Sequence, residues 1–188
     1  ALNPIFLSLS KLPHLEKYPF LNDEAKTLPK FSQTPHVDYE HVSERKEHFL
    51  RLYYRESAPR LLASEAYHHF LQNASWLKGY TAFKILKQRH HGASWEIWPE
   101  KERSPTPELL ESLAAEEPDA FDWHGVLQFL CDQQLQATKE GLAQRKVFLM
   151  GDMPILIDRD SADVWLHQEL FDLRYSAGAP PDMFTEDG

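Results

Sequence analysis

The residue best placed to do chemistry is an aspartate at the end of an apolar run. The stretch VFLMGDMPILIDRDSADVW, residues 147–165, opens with four apolar residues, and Gly151 and Asp152 end the run abruptly. Such a short continuous run has the pattern of a strand buried on both faces, as in a parallel sheet. Asp152 then stands at the C-terminal end of the expected strand, where ligands bind and catalytic side chains gather in sheets and barrels of βα units. A carboxylate there can accept hydrogen bonds, place a negative charge or move a proton. An aspartate at the same point can equally do no more than turn the chain, through bonds to its own backbone.

Other chemistry-bearing residues point to less. The single cysteine, Cys131, lies inside a helical pattern and cannot form an internal disulfide, so it reads as a small buried hydrophobe in a reducing, cytoplasmic setting. Ten histidines, among them the pairs His68-His69 and His90-His91, lack the close cysteine or carboxylate companions of a structural zinc site, and adjacent residues on a helix point in different directions. No metal and no cofactor is expected. With 20 basic against 29 acidic residues the formal charge is −9, which disfavours sequence-independent binding to a phosphate backbone, so no nucleic acid is expected as a partner. At 42% hydrophobic composition the 188 residues suffice for one ordinary soluble domain. No run approaches the roughly 18 to 20 apolar residues of a membrane span, and the first residues lack a signal peptide's basic start and cleavage site.

The elements that must position Asp152 are mostly helical. Residues 5–9 form a candidate strand, after which Pro13, Pro19, Pro29 and Pro35 break the chain into an irregular connecting segment. A first helix is expected from His41, with Val42, Phe49, Leu50, Tyr53 and Tyr54 on one side, until Pro59 stops it. A shorter one follows over residues 60–71. Asn73 or Ser75 can cap a third, where Trp76, Tyr80, Phe83 and Lys87 follow helical spacing as far as Gly92. Beyond a proline-rich acidic crossover with a modest helix over residues 107–115, a long helix runs over residues 122–144 with Trp123, Val126, Leu127, Leu130 and Ala137 in one stripe. It leads straight into the 147–150 run, as half of a βα repeat would. Asp160 or Ser161 can cap a short helix ending at Trp165. The rest, DLRYSAGAPPDMFTEDG, reads as a loop. One confident strand and one candidate strand cannot close a sheet, so the chain is expected to be a segment of a larger fold.

The string GDMPILIDRDSADVW resembles the GDLPIFVAxDSADVW signature of the 4-alpha-glucanotransferases, the amylomaltases or disproportionating enzymes of glycoside hydrolase family 77. The likeness continues forward through ELF and GAPPDMF. Backward, in the same order, it covers LQFLCDQQ, SWEIWP, NASWLKGYTAFKILKQ, VDYE and ALNPIFLSL. The IDRDS wording is most like the branch that includes the plant cytosolic enzymes. The resemblance implies an α/β fold, part of a (β/α)8 TIM barrel with helical insertions, of which this segment is mostly α-helical with few strands. On that reading residues 1–188 are a single partial domain. Residues 1–40 form a connecting segment, 41–122 a helical insertion, 123–170 a helix-strand-helix barrel unit, and 171–188 the start of a loop that covers substrate. The implied partners are an α-1,4-glucan or maltooligosaccharide and the remainder of the barrel.

The implied activity is transfer of α-1,4-glucan segments by a retaining double displacement, which needs a nucleophile and an acid/base about 5 to 5.5 Å apart. The family carries its nucleophile in an RIDH motif, which is absent from residues 1–188, so no catalytic residue is expected in this chain. Asp152 resembles the aspartate that lines the glucose subsite beside the nucleophile, a supporting role through hydrogen bonding and charge. Pro180, Pro181, Asp182, Met183 and Phe184 resemble the start of the substrate-covering loop, with Met183 standing where the family has a tyrosine and so lacking its hydroxyl and ring. Tyr39 matches a tyrosine of an accessory glucan groove; it reads equally as a half-buried aromatic before a helix. Asp158, Asp160 and Asp163 are assigned to capping and charge pairing. Trp76, Trp95, Trp98 and Trp165 are assigned to the core. The alternative function is a noncatalytic glucan-binding or helical interaction module.

Overall fold

The computed structural model describes residues 1–27, 36–154, 157–175, 178, 181 and 183. Eight helices run through them: α1 (Pro19–Thr27), α2 (Tyr39–Leu62), α3 (Glu65–Asn73), α4 (Leu77–Arg89), α5 (Glu100–Arg103), α6 (Pro107–Glu116), α7 (Pro118–Gln144) and α8 (Ala162–Leu166). Short 3-10 turns fill several of the gaps. None of these helices is long and apolar enough to cross a membrane.

No strand forms among the described residues, which corrects two expectations. The candidate strand at residues 5–9 is 3-10 turn instead, over Pro4–Phe6 and Leu9–Lys11. Asn3 starts the first turn by accepting from the Ile5 amide at 3.0 Å, and a proline at its first position favours that turn. Residues 147–150 form no strand pairing with the other described residues, and Phe148 and Met150 are 90% and 97% exposed. A strand's stability comes from its ladder and its packed faces, and an isolated apolar run has neither. The mostly helical part of the expectation stands; among the described residues the few expected strands do not form.

The residues group into two compact units, each made of two pieces of chain: Ala1–Leu77 with Pro118–Met150, and Lys78–Glu117 with Gly151–Gly188. The first contains the main apolar core. Phe49, Leu50, Tyr53 and Leu61 of α2 are buried with Trp123, Val126, Leu127, Phe129 and Leu130 of α7 and with leucines of the N-terminal turns. The α7 helix starts at Pro118, earlier than the apolar stripe suggested, because proline at a first helical position loses no hydrogen bond. It ends where Lys146 takes a left-handed conformation (φ 58) and Val147 donates back to the Leu142 carbonyl at 3.0 Å. The α2 helix continues through Pro59 rather than stopping there. The proline costs one backbone bond near the helix end, and the further turn buries Leu61. Consequently α3 begins later than expected, at Glu65, with the Ser64 hydroxyl accepting from the Tyr67 amide at 3.2 Å. Tyr67 lies against Gly125 of α7: a Cβ built there would stand 2.4 Å from the Tyr67 hydroxyl oxygen.

The irregular N-terminal segment is held along α7 by two amide side chains. Gln128 accepts from the Leu2 amide and donates to the Leu2 carbonyl, both at 2.8 Å. Gln134 does the same to Ser8, at 2.8 and 2.9 Å. Each glutamine thus completes the donor and acceptor of one backbone residue as a neighbouring strand would, which answers the backbone's demand for partners without a sheet. Lys46 of α2 adds bonds to the carbonyls of Ile5 and Leu7 at 2.5 and 2.7 Å.

The second unit packs around indoles. Trp98, Trp165 and Phe83 lie within 5.6 to 6.0 Å of one another, ring centre to ring centre, in tilted and edge-on pairs. Trp165 is fully buried and donates to the Glu102 carbonyl at 2.9 Å. The α4 helix ends on two left-handed residues, His91 (φ 51) and Gly92 (φ 80), with the Gly92 amide returning to the Lys87 carbonyl at 2.7 Å. Of the four tryptophans assigned to the core, Trp95, Trp98 and Trp165 are buried, but Trp76 is 41% exposed. It precedes α4, so the helical spacing that linked it to Phe83 does not apply, and Ala82, Phe83, Ile85 and Leu86 form the buried stripe instead.

Candidate functional site

Asp152 follows Gly151 in exposed, irregular backbone after the 147–150 run. Its side chain forms no hydrogen bond or ion pair with the other described residues. The acids that follow are occupied. Asp158 Oδ1 accepts from the Asp160 amide at 2.9 Å, closing a turn. Asp160 Oδ2 meets Lys87 Nζ at 2.7 Å while its Oδ1 accepts from the Trp95 amide at 3.3 Å. The cap of α8 falls to Ser161, whose hydroxyl accepts from the Val164 amide at 3.3 Å, and Asp163 sits in the helix's first turn where its charge suits the dipole.

Met183 is 88% exposed, and no hydrogen bond joins it to Asp152. Asp182 and Phe184 lie outside the described residues, as does Pro180. Tyr39 is the first residue of α2. Asp38 caps that helix by accepting from the His41 amide at 3.0 Å, and the Tyr39 ring is 63% exposed rather than half-buried. An exposed ring at a fixed helix end can stack on the apolar face of a sugar. A lone open carboxylate can orient hydroxyls or stabilise developing positive charge; it cannot supply both groups of a double displacement. No cluster of three potential metal ligands occurs among the described residues.

Sequence reasoning missed the lysine, arginine and glutamates that surround this segment. Lys87 Nζ donates to the carbonyls of Gly92 (2.6 Å) and Ala93 (3.1 Å) as well as to Asp160. Arg159 reaches Glu96 Oε1 at 2.6 Å, and Trp95 Nε1 donates to the Arg159 carbonyl at 2.8 Å. His90 Nε2 and Glu102 Oε2 lie 2.6 Å apart with the imidazole stacked on Trp98. The available signal was a lysine in an otherwise apolar stripe, Lys87 after Trp76, Tyr80 and Phe83, since a cation on a packed face needs a counter-charge.

Comparison with known proteins places this architecture. The fold is similar to that of the amylomaltase from Streptococcus agalactiae, solved in complex with acarbose, with a TM-score of 0.77 at 24% identity over 99% of this chain and 39% of that one. The family described as 4-alpha-glucanotransferase matches residues 1–188, and the chain belongs to that family. A 4-alpha-glucanotransferase of Chlamydia pneumoniae is 36% identical over 192 residues, all of this chain and 36% of the relative. One from Synechocystis is 33% identical over 200 residues, again all of this chain and 39% of the relative. A chloroplastic or amyloplastic 4-alpha-glucanotransferase of Solanum tuberosum is 30% identical over 175 residues, 86% of this chain and 30% of the relative. The chain spans well under half the length of these relatives.

Proposed function

We propose that this chain supplies one wall of the glucan site of a 4-alpha-glucanotransferase. The complete enzyme would move α-1,4-glucan segments between maltooligosaccharides, glycogen or starch, within a (β/α)8 barrel whose other strands pair with residues 147–150. The match of the family along the whole chain carries this reading. The exposure of Asp152 and of the apolar residues before it supports it, since a run such as Phe148 to Met150 is costly to leave in water and gains from sheet partners. Asp152 serves as a support, accepting hydrogen bonds from sugar hydroxyls that strengthen as the ring flattens toward the oxocarbenium-like transition state. The nucleophile and acid/base come from outside residues 1–188. Tyr39 offers an accessory stacking surface, and the stretch holding Asp182, Met183 and Phe184 rests against the bound glucan, with Met183 giving apolar contact only. No cofactor takes part, because a retaining displacement needs only two carboxyl groups and an acceptor hydroxyl.

The test is disproportionation of maltotriose. The 188-residue chain alone is expected to show none, while the complete protein turns over. Asp152→Ala in the complete protein should lower kcat/KM by about a hundredfold or more, the scale on which one preorganised charge or hydrogen bond in a transition state is felt. Turnover like that of the wild type in this variant would remove Asp152 from the site. A complete protein that binds maltoheptaose without turnover would instead support the noncatalytic glucan-binding module.

A further inference from the structure

Trp76 lines a groove to which neither Asp152 nor Tyr39 contributes. The groove lies wholly within the unit of Ala1–Leu77 and Pro118–Met150. Its volume is about 470 Å3, inside the usual range of about 300 to 1,000 Å3 for small-ligand sites. One side is formed by Phe70 and Asn73 of α3 and by Trp76 shortly after that helix. The other is formed by α7, where Asp132, Leu135 and Gln136 stand at i, i+3 and i+4 and so share a face. Two sets of contacts fix these walls. Phe70 and Tyr67 of α3 both pack on the Phe129 ring of α7, with ring centres 5.8 and 5.5 Å apart. Gln128, one turn before Asp132, binds both backbone groups of Leu2 and so brings Leu2 into the lining.

The lining sorts ligands by their chemistry. Trp76 and Leu135 are 41% and 38% exposed, so an indole and an isobutyl group present apolar surface to water. Beside them, the side chains of Asp132 and Gln136 form no hydrogen bond or ion pair with the other described residues. Asn73 uses one amide hydrogen on the His69 carbonyl, at 2.8 Å. No lysine or arginine lines the groove among the described residues, and Asp132 repels anions, so a phosphate or nucleotide would find no counter-charge. A purely apolar occupant would strip water from the carboxylate and the amides without replacing its hydrogen bonds. A pyranose ring meets both demands. Its C–H face can cover the indole, while its hydroxyls donate to Asp132 and exchange hydrogen bonds with the amides of Asn73 and Gln136.

We propose that this groove binds α-glucan, with Trp76 stacked on a glucose ring and Asp132 and Gln136 holding its hydroxyls. The class of the ligand rests on the glucan-transfer reading above. No bond is made or broken in the groove. It holds a long glucan on the enzyme and thereby raises the effective concentration of the chain ends on which transfer draws.

The experiment runs the complete enzyme and its Trp76→Ala, Trp76→Phe and Gln136→Ala variants through native gels containing graded amounts of glycogen, with retardation giving Kd. Tm is recorded for each protein, and maltotriose disproportionation is followed for the wild type. Trp76→Ala should weaken glycogen binding by about tenfold, and Trp76→Phe, which keeps a smaller ring, by about threefold. Gln136→Ala, at an exposed position of α7, should also weaken it by about threefold. Every Tm should stay within about 4 °C of the wild type, because these side chains stand partly in water. Glycogen binding by Trp76→Ala equal to that of the wild type overturns the proposal, as does weaker binding that only tracks a loss of folded protein. If Trp76→Ala does not fold, Trp76→Phe and Gln136→Ala decide by the same measure. A wild type that disproportionates maltotriose while no variant changes glycogen binding defeats the groove alone. A wild type that neither binds glycogen nor disproportionates maltotriose defeats the glucan-transfer reading, and this proposal with it.

Discussion

In the unit formed by Ala1–Leu77 and Pro118–Met150, irregular backbone is held chiefly by neutral amides, Gln128 on Leu2 and Gln134 on Ser8. In the unit formed by Lys78–Glu117 and Gly151–Gly188, the same task falls to charged groups and indoles: Lys87 on the Gly92 turn, Arg159 on Leu173, Trp165 on Glu102. The choice follows the dielectric. Gln128 is 2% exposed, where an unpaired charge would be costly and a neutral amide can be fully satisfied. Arg159 and Glu96 stand partly in water, where charge is cheap to keep and its long reach is useful. The lesson is that the deeply buried clamp on Leu2 is a neutral amide, while the charged clamps, Lys46 in the first unit and Lys87 and Arg159 in the second, keep part of their side chains toward water.

Breaking the indole cluster should give the largest effect. Trp165→Ala should destabilise the second unit by about 3–5 kcal/mol, the usual cost of removing a fully buried tryptophan. Hydrogen exchange should show amides of residues 78–117 losing protection while those of α2 and α7 keep it. Equal loss in both would mean that the two units unfold as one body.

The close approach of Tyr67 to Gly125 sharpens the comparison inside the first unit. Gly125→Ala should cost about 1–2 kcal/mol in urea unfolding, because the new Cβ would meet the Tyr67 hydroxyl at 2.4 Å in a packed core. Gly141→Ala, later in the same helix and with no atom within 4 Å of the added Cβ, should instead stabilise by about 0.5–1 kcal/mol through helix propensity. A gain at both positions would show that Tyr67 yields.

The smallest effect at neutral pH separates the units by alkali. Burial pushes the Tyr53 and Tyr54 hydroxyls up to about 12 and the Cys131 thiol up to about 11, and it raises Tyr67 as well; all four lie in the first unit. Each folded value exceeds the ordinary one of 10.0 or 9.0, so the stability these neutral groups add is complete below about pH 9 and is lost as pH rises toward 12. The urea midpoint of α2 and α7 should decline through that window. A midpoint that stays flat would contradict the burial of these groups.

Periodicity made the helices legible, since α2, α4 and α7 carry stripes that repeat at helical spacing over many residues. Boundaries were less so: Pro59 lies within α2 and Pro118 begins α7, because a proline near either end costs little and burial decides the rest. The expected strands failed for a different reason. Whether Phe148 and its neighbours form a strand depends on a partner ladder, a property of other chain segments that the run's own residues cannot reveal. At the site, Asp152 was expected at the end of a strand, and among the described residues it follows exposed irregular backbone instead. The links from Lys87 and Arg159 were not legible, because each joins residues more than sixty positions apart or closes a loop over α8.

The sequence by itself determined the family and the helical character, because these depend on residue order, local spacing and a long specific motif. Only the tertiary structure decided which of the acids near Asp152 are occupied, that Trp76 is exposed while Trp165 is buried, and that Arg159 holds Leu173 beside the Asp160 turn. The physical reason is range. Helix propensity and capping act within a few residues, whereas an ion pair or a packed indole is defined by groups that meet only after the chain has folded.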